Sequence, residues 1–167
     1  MRLSEFNQSQ NGEVNTLLKH CVHIERWAHD ILQQRPFASK EILLQSAHRH
    51  ATTWTWDEIL AALNTHPRIG EKKAQAELST KEQRFSDREQ AAVMQDSATQ
   101  QALFQGNVSY EKKFGFIFLI KASGLNSEEI LTALNYRLSN DFDSEKRIVH
   151  QQLLEIAQLR LAQEIQA

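Results

Sequence analysis

His66 opens the run His66-Pro67-Arg68-Ile69-Gly70, which holds one of only two prolines in the chain. An imidazole ordinarily titrates near ~6.5, so it can give and take a proton at neutral pH. Pro67 has no N–H and pushes the residue before it out of the helical region. The ring is therefore fixed where a helix ends. A second candidate is Ser86-Asp87-Arg88-Glu89-Gln90. Its plain reading is a capping box, with Ser86 opening a helix and Glu89 reaching back. Beside a pocket the same residues offer a carboxylate to pair with an imidazole, and free N–H groups to receive an anionic or carbonyl ligand. Ser79-Thr80-Lys81-Glu82-Gln83 repeats the pattern seven residues earlier. A third candidate is Arg160, at helical phase with Val149, Leu153 and Ile156. A cation in that apolar arc either snorkels to the surface or clamps a buried oxygen.

Other chemistries lack their residues. His20 and His23, and His48 and His50, have no cysteine or carboxylate at ligand spacing. There is no H-E-x-x-H and no cysteine pair. No metal site is expected, and no phosphate-binding loop or dinucleotide-binding glycine set points to an organic cofactor. Cys21 is the single cysteine. It excludes an internal disulfide, and its neighbours Leu17, Leu18 and Ile24 make it read as a small buried hydrophobe. A net charge of -2 without a basic stripe argues against nucleic acid. No apolar run approaches a membrane span, and the N-terminus lacks a signal peptide's apolar core. A soluble, cytoplasmic protein is expected.

The 167 residues suit one domain with a real core. Five glycines, two prolines and plentiful Ala, Leu, Gln, Glu and Lys favour helix nearly throughout. The reading is all-α, a single compact domain over 1–167 with roughly seven or eight helices of ordinary length. Val14 to Leu32 reads as one amphipathic helix ending at Arg35-Pro36. Ser39 caps the next, and Thr55 with Glu58 forms a capping box before a helix that runs out at His66. Residues 71–85 read as a loop or short helix. The helix behind Ser86 carries Ala91, Ala92, Met94 and Leu103, and Gly106-Asn107 interrupts it. Phe114 to Ile120 is a dense apolar run of either secondary structure, in which Gly115 permits close backbone approach to a ligand. Ser127-Glu128-Glu129 begins a further helix, and Asp143 or Ser144 begins the last.

Taken in order, several short motifs stand together. They are Arg35-Pro36-Phe37, His66-Pro67-Arg68-Ile69-Gly70, Ser86-x-x-Glu89-Gln90, Asn107-x-x-Tyr110-x-x-Lys113-Phe114-Gly115-Phe116-x-Phe118, Arg137-Leu138 and Leu159-Arg160-Leu161. The set resembles the 2-oxo-4-hydroxy-4-carboxy-5-ureidoimidazoline (OHCU) decarboxylases of uric acid degradation, over nearly the whole chain. The resemblance implies an all-helical, cofactor-free and metal-free homodimer that converts OHCU to (S)-allantoin. It implies that His66 is the catalytic acid/base and Glu89 its partner. Pro67, Ser86, Gln90, Arg160 and the segment Ile120-Lys121-Ala122 would bind substrate. Glu89 is preferred to Glu82 because Gln90-Ala91-Ala92 follows it and its distance to Asn107 suits the family better. One departure is Glu25-Arg26-Trp27, where the family often has Ser-Pro-Trp. A non-enzymatic helical interaction module fits composition and helix pattern equally well, but not the ordered polar set.

Overall fold

Side chains make most of the helix starts that the sequence announces. Ser39 Oγ accepts from the Ile42 N–H at 3.2 Å. Thr55 Oγ1 accepts from the Glu58 N–H at 3.2 Å while Glu58 accepts from the Thr55 N–H at 2.9 Å, a complete capping box. Asn126 and Glu129 form another, with bonds of 2.9 and 3.2 Å. Asp141 caps the last helix, accepting from the Ser144 N–H at 2.7 Å, so that helix starts slightly before Asp143. A computed structural model describes residues 1–70, 80–89 and 97–167. Its helices are α1 Leu3–Gln8, α2 Asn11–Cys21, α3 Glu25–Gln33, α4 Lys40–Ala51, α5 Trp56–Leu63, α6 Thr80–Glu89, α7 Ser97–Phe114, α8 Ser127–Leu138 and α9 Phe142–Glu164. The described residues are all-α, and their β pairing is limited to an isolated bridge between Arg2 and Gln166. No described helix is long and apolar enough to cross a membrane.

Two compact units divide the chain, Met1–Ala62 with Leu153–Ala167, and Leu63–Gln152. In the first, Phe6, Leu18, Trp27, Ile31, Leu43 and Leu161 are buried. Trp27 donates its indole N–H to the Ala47 carbonyl at 2.9 Å and meets Trp54 edge-on at 6.1 Å. In the second, Phe85, Leu103, Tyr110, Phe118, Ile130 and Leu134 are among the buried residues.

Three sequence expectations are corrected. The helix expected from Val14 to Leu32 is two helices. Val22 and Ile24 are extended, at φ -159° and -125°, where β-branched side chains are comfortable. Their side chains are buried all the same, so the apolar period survives the break. Gly106-Asn107 does not interrupt a helix, since α7 runs through it. A Cβ at Gly106 would clash with Leu134 Cδ2. That glycine marks a close crossing of α7 and α8. Phe114 to Ile120 forms neither helix nor paired strand beyond the end of α7, and leads as an irregular segment towards α8.

Candidate active site

His66 sits one turn past the end of α5. Its backbone N–H donates to the Leu63 carbonyl at 3.1 Å, and Pro67 then ends the ladder. The imidazole is enclosed, with the residue 4% exposed, and Pro67 is buried beside it. Gly70 closes the turn at φ +80°, a conformation that L side chains resist. The turn is tied to α7 at two successive residues. Arg68 grips Glu111 in a fork, Nε to Oε2 at 2.9 Å and Nη2 to Oε1 at 2.8 Å. Asn107 Nδ2 donates to the Ile69 carbonyl at 3.2 Å. A cavity of about 290 Å³ beside this junction is lined by Arg68, Ile69, Leu103, Phe104, Asn107 and Glu111, among others.

Ser86 does not open a helix. It lies inside α6, which has already begun at Thr80, so the Ser86–Glu89 capping box is corrected. Thr80 and Glu82 of the earlier copy stand in the first turn of α6 instead, and Ser79 lies outside the described residues. Because the two copies are seven residues apart, they fall two turns apart on one face. Glu82 and Phe85 are buried, and Glu89, the last residue of α6, is half-buried on the same line. Arg88 lies 5.1 Å from the Phe85 ring centroid. Gln90, Ala91, Ala92 and Met94 lie outside the described residues.

Ile120 and Lys121 are half-buried and Ala122 is buried. Their backbone is held by groups distant in sequence. Arg137 Nη1 donates to the Leu119 carbonyl at 2.6 Å, and the Lys121 N–H donates to Gln152 Oε1 at 2.8 Å. Arg137 belongs to a buried network. Its Nε meets Glu145 Oε1 at 2.6 Å, the Tyr110 hydroxyl donates to that same oxygen at 2.6 Å, and Asn140 donates to Oε2 at 3.1 Å. The guanidinium also stacks 4.5 Å from the Phe118 centroid. Glu145 is 0% exposed, so its charge is tolerable only with these partners. Burial pushes the Tyr110 hydroxyl far above its ordinary pKa, with the bond to Glu145 adding to it, so it remains a neutral donor.

Arg160 belongs to the first unit and does not snorkel. It is 4% exposed, and Nη1 donates to the Cys21 carbonyl at 3.3 Å, at the end of α2 where carbonyls lack intrahelical donors. Cys21 is fully buried. Thus His66, Pro67, α6 and the 119–122 segment share one unit, and Arg160 stands in the other.

The profile of the family described as OHCU decarboxylase matches residues 7–162. The chain belongs to the OHCU decarboxylase family. It is 31% identical over 145 residues to the "Uric acid degradation bifunctional protein TTL" of Arabidopsis thaliana, covering 86% of this chain and 45% of that protein. It is 27% identical over 129 residues to a 2-oxo-4-hydroxy-4-carboxy-5-ureidoimidazoline decarboxylase of Haloferax volcanii, covering 77% of this chain and 74% of that one. A crystal structure of OHCU decarboxylase in the presence of (S)-allantoin superposes with a TM-score of 0.73 at 27% identity, over 93% of this chain and 98% of that one. The chain spans less than half the length of the bifunctional relatives it matches, 45% of the plant protein and 32% of one from Bacillus sp. (strain TB-90).

In this member of the OHCU decarboxylase family, the residues that hold the motifs in place are mostly unmarked in the sequence. Asn107, Tyr110 and Arg137 belong to the ordered motifs, but the types and spacing of the first two do not announce a role. Arg137 carries the same signal that singled out Arg160, a cation at i+7 and i+3 from Ile130 and Leu134 in a buried stripe. Glu145 carries it too, a charge in phase with Val149, Leu153 and Ile156 on α9, whereas Glu111 and Gln152 show no such signal because their partners Arg68 and Lys121 lie far along the chain.

Proposed function

We propose that this protein decarboxylates OHCU to (S)-allantoin without a metal or organic cofactor. The observation that carries the reading is the enclosed imidazole of His66 at the exit of α5, within a chain matched by the family profile from residue 7 to 162. The substrate holds its own electron sink. As the C–CO2 bond breaks, its electron pair moves into the neighbouring ring C=N, and carbon dioxide leaves. The enol-like product then takes a proton on one face, which sets the configuration. That demands one positioned acid/base and a few polar anchors away from bulk water. His66 is that acid/base and Glu89 orients it, while Pro67, Ser86, Gln90 and the segment Ile120-Lys121-Ala122 shape the substrate site. Arg160 anchors a substrate oxygen, as the resemblance implies, with the fork of donors that a guanidinium offers.

The reading includes a homodimer, as the family resemblance implies, and a cytoplasmic location. Freshly generated OHCU is the direct test. Its ultraviolet decay should accelerate on adding the protein, and EDTA should leave the acceleration intact. Decay at the spontaneous rate would favour the non-enzymatic interaction module, and loss in EDTA restored by one metal would refute the cofactor-free chemistry.

A further inference from the structure

We infer that Asn107 and Glu111 of α7 are positioning residues for His66, acting through the turn that follows it. The inference rests on the reading of His66 as the acid/base. Asn107 and Glu111 are one helical turn apart and lie on one face of α7. They take hold of consecutive residues, Asn107 the Ile69 carbonyl and Glu111 the Arg68 guanidinium. A single tie would let the turn pivot. Two ties at successive residues, beside a proline whose φ is fixed, leave the backbone between His66 and Gly70 little freedom. The imidazole then inherits its place from α7.

The chemistry of the two ties supports positioning over bulk stabilisation. The side chains of Arg68 and Glu111 are 38% and 26% exposed, so solvent screens part of their attraction. Yet this pair is a bidentate fork, the arrangement that fixes direction as well as distance. Asn107 is 5% exposed and spends its amide N–H on a backbone carbonyl of the turn. Its Oδ1 makes no hydrogen bond, and the residue lines the cavity beside the turn. A buried amide with one side unpaired lowers stability, so its use here falls on the bond it makes to the turn.

Asn107→Asp keeps the shape but removes the donor, and Glu111→Gln weakens the fork. Each should lower kcat by about 10- to 10²-fold with KM little changed, since misplacing a catalytic group by about 1 Å costs on the order of 10²-fold. Joining Arg68→Glu with Glu111→Arg should recover much of what either single swap loses. The decisive readout is the His66→Asn background. If Asn107 acts through His66, Asn107→Asp should cost almost nothing further there. A full additional loss in that background, or unchanged kcat in the folded single variants, would overturn the inference. His66→Asn retaining wild-type turnover would instead overturn the acid/base reading.

Discussion

Arg137 donates Nη1 to the carbonyl oxygen of Leu119 at 2.6 Å, so a buried cation of α8 sets the backbone one residue before Ile120. The same guanidinium bonds Glu145, which Tyr110 and Asn140 complete. Removing one partner strands the other charge in the core. Arg137→Ala or Glu145→Ala should therefore destabilise by about 3–5 kcal/mol in urea unfolding. A loss below about 1 kcal/mol, the range of exposed pairs, would show that the network is not the anchor of this segment.

Glu82 and Glu89 offer a cleaner separation of roles. They lie two turns apart on one face of α6, Glu82 buried and Glu89 half-buried at the helix end. Glu89→Gln should lower turnover at least tenfold, and Glu82→Gln should shift the melting temperature and leave turnover of the folded enzyme near wild type. The opposite pattern would move the partner of His66 to Glu82.

Gly106→Ala tests the crossing of α7 and α8. An exposed helical glycine replaced by alanine gains about 0.5–1 kcal/mol. Here the new Cβ clashes with Leu134 Cδ2 and lies 3.2 Å from its Cγ, and Leu134 is 0% exposed. Overpacking of this kind costs about 1–3 kcal/mol, so the net change should be destabilising, and shortening Leu134 to valine should relieve part of it. A more stable Gly106→Ala would mean the two helices separate freely.

Acid should loosen the start of α5. The bond from Arg26 holds the Glu58 carboxyl below its ordinary range, with the Thr55 N–H assisting. A carboxyl whose folded pKa is depressed contributes stability that is present above its unfolded value and is lost as pH falls through the folded one. Arg26→Ala should thus lower the melting temperature at pH 7, and the deficit should shrink as the pH drops below about 4, where a free glutamate protonates. A deficit that stays constant with pH would remove the ionic contribution.

The parts legible in the sequence were local. Ser39, Thr55 and Glu58 act on N–H groups three residues away, and Pro67 acts on its own peptide bond, so windows of a few residues contain the cause. The misreadings had distant causes. Gly106 looked like a breaker because Leu134, 28 residues on, explains it. The start of α6 at Thr80 could not be told from a start at Ser86, because the motif repeats with the period that returns to the same helical face. Arg68 with Glu111 and Tyr110 with Glu145 span 43 and 35 residues, separations that no periodicity records. Enclosure of Arg160 decided against snorkelling, a choice its helical phase left open.

The most direct test of the central claim is the handedness of the product. Freshly made OHCU should be given to the protein and to its His66→Asn variant, and allantoin followed by circular dichroism. The account predicts a growing signal of (S)-allantoin with the protein, lowered by about 10²- to 10⁴-fold in initial rate with the variant. Racemic allantoin at the spontaneous rate with the folded protein, or an undiminished (S) signal from the variant, would contradict it.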